Sequence, residues 1–249
     1  MTKKTLIVTG ASRGIGAATA RLAGANGYQV CVNYLANQAA AQAVVADIHS
    51  HGGTALAVQA DTAIEADILR LFETCEQQLG AVTHLVNNAG ITGPYGALSE
   101  LTASDLRRVL DVNVVGYFLC CREAVRRMST QFGGSGGSIV NVSSRASELG
   151  GAHEWIHYAA SKGATDSLTV GLAKEVASDG IRVNAVNPGL IDTDIHASAG
   201  QPDRMQRLVT MVPMQRTGNV EEVAELILFL LSESASYVTG TCIPVAGGR

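Results

Sequence analysis

The chain has 249 residues, a formal net charge of −4 and a mean hydropathy of +0.18, and 47% of its residues are hydrophobic. That length can bury a substantial core, while the acidic balance argues against a partner bound through its phosphate backbone, which takes a concentrated basic patch. Nucleic acid is therefore not an expected partner. No apolar run is long enough to span a bilayer, and the run TLIVT meets a glycine too soon for a secretory signal, so a cytoplasmic location is expected. The five cysteines, Cys31, Cys75, Cys120, Cys121 and Cys242, are scattered, odd in number and without metal-ligand spacing, as expected of reduced thiols in a cytosolic chain.

TLIVT at 5–9 is a short β-branched run ending in glycine, and from Ile15 to about Ala25 the sequence turns alanine-rich with helical periodicity. This reads as strand, tight turn and helix. The alternation recurs: YQVCVN at 28–33 and a helix through about His49, then TALAVQ at 54–59 and a helix from about Ile64 to Gln78. HLVNN at 84–88, SIVNVSS at 138–144 and IRVNAVN at 181–187 follow, with a helix over 221–232 and a last strand in 241–248. FGGSGGS at 132–138 is too short for an interdomain linker and reads as a loop into a strand. Apolar strands separated by helices predict one domain over 1–249, an α/β fold with a doubly wound, Rossmann-type parallel sheet covered by helices on both faces.

TGASRGIG at 9–16 lies between the first strand and the first helix, where a dinucleotide's pyrophosphate would sit. Gly10, Gly14 and Gly16 remove the Cβ atoms that would block a tight turn, close approach of phosphate and close helix packing. The helix amino terminus adds unpaired N–H groups and partial positive charge. Ser12, Arg13 and Ile15 stand in the same turn. At the end of the second strand, where an acidic side chain typically accepts from the ribose 2′-hydroxyl, this chain has Asn33 and Tyr34. A neutral residue does not repel a 2′-phosphate and Arg13 can pair with one, so NADP(H) is expected over NAD(H).

HYAASKGA at 157–164 puts Tyr158 and Lys162 four positions apart, on one helical face. With TGASRGIG, NNAG at 87–90, VNVVG at 112–116, NVSS at 141–144, YAASK at 158–162 and NPG at 187–189, the chain resembles the classical short-chain dehydrogenase/reductase family from end to end. The texture is similar to sugar-dehydrogenase-like and 3-oxoacyl-reductase-like members. The resemblance implies a catalytic set of Asn113, Ser144, Tyr158 and Lys162. Tyr158 would be the general acid or base, its phenol lowered by Lys162. Ser144 would donate to the substrate oxygen, Lys162 would hold the nicotinamide ribose, and Asn113 would anchor a water linking Lys162 to solvent. Ser143 is the alternative serine, and a plain bridging role is the alternative for Asn113. The resemblance also implies Asp61 beside the adenine, unless it caps a helix, with Asn88, Ala89 and Gly90 along the ribose and pyrophosphate path. Pro188, Gly189, Ile191 and Thr193 would lie near the nicotinamide amide.

The expected substrate is a small carbonyl compound or secondary alcohol: a sugar or polyol, a 3-oxoacyl thioester or another ketone. RASELGGAHEWIH, between Ser144 and Tyr158, resembles the family's substrate-facing loop, with His153, Glu154, Trp155 and His157 as candidate contacts. The segment 192–206 resembles the family's lid, with His196 as a surface residue of it. The histidines show no paired helical spacing, so no metal site is expected. Arg126, Arg127 and Arg145 do not establish a docking patch for an acyl carrier. Ala246 stands where the family often has aspartate. Small residues on the tyrosine-bearing helix, among them Gly163 and Gly171, point to a homotetramer, with a dimer as the alternative. A dinucleotide-binding sensor without turnover would be marked by loss of a catalytic residue, and all four are present.

Overall fold

A computed structural model describes residues 4–193 and 200–249. Among the described residues seven parallel strands form one sheet: β1 (Thr5–Val8), β2 (Gln29–Tyr34), β3 (Thr54–Gln59), β4 (Val82–Asn87), β5 (Gly137–Val142), β6 (Ile181–Pro188) and β7 (Cys242–Val245). Their spatial order is β3-β2-β1-β4-β5-β6-β7. After β3 the chain returns to the middle of the sheet and builds outward on the other side of β1. The reversal leaves a crevice at the strands' carboxyl ends, between β1 and β4.

Residues alternate between the two faces of each strand, and both faces are apolar. Leu6, Val8, Val30, Val32, Val140, Val142 and Val186 enter one core layer, and Ile7, Cys31, Ile139, Ile181 and Val183 the other. Helices α1 (Gly14–Ala25) and α2 (Gln38–Ser50) cover the first layer. Helix α3 (Glu65–Leu79) covers the second. The chain then forms α4 (Ala103–Leu110), a wide π turn at Asp111–Val115, α5 (Gly116–Met128), the short α6 (Ala146–Leu149) and the long α7 (Ile156–Val176). Helices α5 and α7 join the second layer. Beyond the undescribed segment come α8 (Arg204–Leu208) and α9 (Val220–Leu231), the latter packing on the first layer. Asn219 and Glu222 start α9 with reciprocal side-chain caps.

The expected elements differ from the observed ones only at their ends. The strand expected to run to Ser144 stops at Val142, and the last strand, expected over 241–248, is confined to Cys242–Val245. Gly247 and Gly248 follow it with positive φ, a conformation that breaks a ladder. Among the described residues no helix is long and apolar enough to cross a membrane. All five cysteines are free thiols, four of them buried.

Candidate active site

The crevice is a cleft of about 860 Å³, lined from the glycine turn at one end to Ser144, Tyr158 and Arg249 at the other. Gly10 and Gly14 have φ of +61° and +56°, and a Cβ on Gly10 would stand 2.9 Å from the Cα of Ala89. A Cβ on Gly16 would stand 2.5 Å from the Asn88 Nδ2. Asn88 in turn donates to the carbonyls of Thr9 and Gly10, tying the end of β4 to the turn. Helix α1 begins at this turn without a side-chain cap. Its first N–H groups, and a backbone bare of Cβ at Gly14, form a cradle that fits a pyrophosphate. Ser12, Arg13 and Ile15 line the cleft here; Gly16 lies beneath it.

The end of β2 differs from the expectation. Asn33 is 1% exposed. Its Oδ1 accepts from Gly10 N at 3.1 Å, and its Nδ2 donates to the carbonyls of Val58 and Ala60 at 3.3 and 3.0 Å. Asn33 thus braces the glycine turn, and its amide has no free group to offer a ribose. Tyr34 is buried in the core and does not line the cleft. The pleat puts the two side chains on opposite faces: Tyr34 enters the core layer, while Asn33 lines the cleft, whose wall continues through Leu35, Ala36 and Asn37. Asp61 does line the cleft, yet its Oδ1 accepts from Ala63 N at 2.9 Å and its Oδ2 pairs with Arg108 at 3.2 Å. It shapes the turn before α3 and is not that helix's cap, a position held by Ile64.

At the other end α7 begins at the cleft wall. Ser144 and Tyr158 line the same wall, near enough for the serine hydroxyl to act on the phenol. Ser143 turns inward and donates to the carbonyl of Lys162 at 3.1 Å. Burial raises the Tyr158 phenol above its ordinary value, against the Ser144 hydroxyl and the charge of Arg204, which lower it. Lys162, expected to lower that phenol, is not among these influences. Its Nζ donates to the Val142 carbonyl at 2.7 Å and to the Tyr117 hydroxyl at 3.3 Å. Burial pulls the ammonium itself down to about 7, because a charge there has lost its water.

Asn113 sits in the π turn, wholly buried. Its Oδ1 accepts from Ile91 N at 2.9 Å, and its Nδ2 donates to the Ile91 carbonyl and to Ser161 Oγ at 2.8 and 3.0 Å. Both amide hydrogens are committed, so the side chain bridges the loop after β4 to α7 and is not available to donate to the water expected there. Ala89, Gly90, Pro188, Gly189, Ile191 and Thr193 all line the cleft.

The substrate-facing wall holds Glu154 and Trp155. Arg204 grips Glu154 with two bonds, at 2.6 and 3.3 Å, and lies 5.1 Å from the centre of the Trp155 ring. His153 and His157 do not line the cleft. His153 is exposed with φ of +60°, and His157 is buried against Gly93, whose Cβ would stand 2.6 Å from its Nε2. Burial lowers the His157 pKa. His196 lies outside the described residues. Arg126 and Arg127 both pair with Glu123 on α5 and take no part in the cleft. Tyr117, Arg108, Arg204 and Arg249 reach the site from distant segments with no motif to mark them; the one signal is Tyr117's place just after VNVVG.

A family model described as enoyl-(acyl carrier protein) reductase matches residues 10–249. The chain is 54% identical over 243 residues to an uncharacterized oxidoreductase, YgfF, of Escherichia coli (strain K12), with 98% of each chain covered. Its structure is similar to that of a short-chain type dehydrogenase/reductase from Mycobacterium marinum, with TM-score 0.92 and 33% identity over 98% of this chain and 94% of that one. It is also similar to a blue fluorescent protein from a metagenomic library, solved in complex with NADPH, with TM-score 0.89 and 38% identity over 98% and 97%. The matched family model, the shared fold and the nicotinamide dinucleotide cleft agree: the chain is an oxidoreductase that belongs to the classical short-chain dehydrogenase/reductase family.

Proposed function

We propose that the chain is a single-domain, cytoplasmic, NADP(H)-dependent enzyme that interconverts a carbonyl and a secondary alcohol, with Tyr158 as proton donor and acceptor. The observation that carries this reading is the placement of Ser144 and Tyr158 together in the wall of a cleft whose other end is a phosphate cradle. The bound nicotinamide would supply or accept the hydride at its C4. In reduction the Tyr158 hydroxyl gives its proton to the carbonyl oxygen, and Ser144 donates a hydrogen bond to the same oxygen as charge builds on it. In oxidation the phenolate takes the proton back. Lys162, buried one turn along with its Nζ 5.7 Å from the centre of the Tyr158 ring, would in its protonated form set positive charge near the phenolate.

NADP(H) is favoured because, among the described residues, no unpaired carboxylate lines the cleft near the end of β2, Arg13 does, and α2 presents its amino end there through Asn37 and Ala40. For a homotetramer, with a dimer as the alternative, the support is on α5 and α7. Phe118 is 50% exposed, and a Cβ on Gly163 or Gly171 would meet nothing within 4 Å. The test is a titration with NADPH and NADH, followed by carbonyl compounds while nicotinamide absorbance is recorded. Tight NADPH binding and its consumption on a carbonyl compound support the reading; consumption of neither cofactor on any carbonyl class overturns it.

A further inference from the structure

Around Glu154 the cleft wall carries three arginines, Arg145, Arg204 and Arg249, against two carboxylates, Glu154 in the wall and Glu148 behind Arg145. Two of the three are engaged. Arg204 uses both oxygens of Glu154. Arg145 pairs with Glu148 at 2.6 Å and donates from Nε to the carbonyl of Arg249 at 2.8 Å. The Arg249 guanidinium has no ion pair or side-chain hydrogen bond among the described residues, while its backbone is fixed by Arg145 and by a bond from its own N–H to Ala246. Burial disfavours its cation most, Arg204 and Arg145 add to that, and Glu154 opposes them. All three arginines line the same cleft as Tyr158, and the charge of Arg204 reaches the phenol.

A guanidinium does not neutralise itself by losing a proton, so partly buried Arg249, whose two arginine neighbours already hold Glu154 and Glu148, lacks a counter-charge of its own. Glu154, gripped at both oxygens by Arg204, has little left to give. We infer that the substrate carries an oxyanion, a carboxylate or a phosphate, which Arg249 binds with Arg145 and Arg204 beside it, while its carbonyl faces Tyr158 and Ser144. The planar fork of an uncommitted arginine suits a bidentate oxyanion. The inference rests on the oxidoreductase reading of the cleft and narrows its substrate class.

The experiment uses two matched pairs, acetoacetate with methyl acetoacetate and dihydroxyacetone phosphate with dihydroxyacetone. Each is titrated into the NADPH-loaded protein, with cofactor emission reporting binding and absorbance reporting turnover, in the wild type, Arg249→Gln and Arg249→Lys. The charged member of one pair is expected to bind about tenfold tighter or more than its neutral partner. The preference should collapse in Arg249→Gln and partly return in Arg249→Lys, and the responding pair tells carboxylate from phosphate. Equal binding within both pairs, or a preference untouched by Arg249→Gln, overturns the anion site, as does an equal loss of NADPH affinity in that variant. Turnover is read separately: consumption of both members at one rate keeps the oxidoreductase reading without the anion site. Selective binding of the charged member with no consumption keeps the anion site and removes the oxidoreductase reading.

Discussion

The ammonium of Lys162 donates to the carbonyl oxygen of Val142 at 2.7 Å, and so anchors α7 to the end of β5. From Tyr158 it stands 5.7 Å away, measured to the ring centre. Burial holds Lys162 at about 7, below its unfolded value near 10.5. Between those values the unfolded chain binds the extra proton, so stability rises with pH through this window. The raised thiols, Cys121 and Cys242 at about 12 among them, reverse the slope once unfolded cysteine begins to ionise near pH ~8.5. Denaturant melts of the cofactor-free protein should therefore gain stability from pH 7 to ~8.5. Lys162→Met should flatten that segment, and an unchanged slope in the variant would refute the assignment.

Tyr158→Phe removes the proton donor and keeps the ring. Turnover should fall by about 10²–10⁴-fold, while NADPH affinity stays within a few-fold. A variant that keeps most of its rate would place the proton elsewhere. Because burial raises the Tyr158 phenol, the proton-donating form persists through neutral pH. Carbonyl reduction should then tolerate neutral pH, whereas alcohol oxidation, which needs the phenolate, should climb as pH rises. Initial rates in both directions across pH 6–10 check the sign.

Cofactor choice should respond at Leu35 and not at Asn33. Leu35 is 53% exposed on the cleft wall, so Leu35→Asp puts a carboxylate where a 2′-phosphate would lie and should lower the NADPH:NADH affinity ratio by about tenfold or more. Asn33→Ala leaves the Gly10 N–H and the Ala60 carbonyl without a partner. It should cost roughly 2 kcal/mol of stability and weaken both cofactors alike. Paired titrations and melts separate the two effects.

Gly10→Ala combines positive φ with a contact too short for any Cβ, 2.9 Å from Ala89. Gly52 also has positive φ, but a Cβ there meets nothing within 4 Å. The Gly52→Ala protein should lose only about 1 kcal/mol of backbone strain and bind NADPH normally. Gly10→Ala should lose more stability and most of its NADPH binding. Similar behaviour in the two would mean that strain alone, not the packing of the turn on β4, governs the site.

Much of this architecture is legible in the sequence because it repeats a period. Leu6, Ile7 and Val8 read as a strand buried on both faces, and TGASRGIG marks the turn, since its glycines are needed by local geometry alone. Side-chain direction at an element's end is harder to read: Asn33 and Tyr34 both stand at the right place in the chain, yet only Asn33 lines the cleft, with its amide committed to the backbone, and Tyr34 faces the core. Lys162 shows a second limit. Its spacing from Tyr158 fixes the shared face, but its partner is a carbonyl at the end of β5, which no local pattern reveals. Arg204 and Arg249 are further still, brought to the cleft by tertiary folding from segments with no periodic signal.

The strand order carries a consequence for synthesis on the ribosome. β1 pairs with β2 through residues 29–32, but its other edge waits for β4, beginning at Val82. A nascent chain shorter than that exposes the open edge of what will be the middle of the sheet, and closing it requires a long loop. Vectorial folding should therefore stall as an incomplete three-stranded unit until β4 emerges, with that edge as the point most open to a chaperone or to a wrong neighbour.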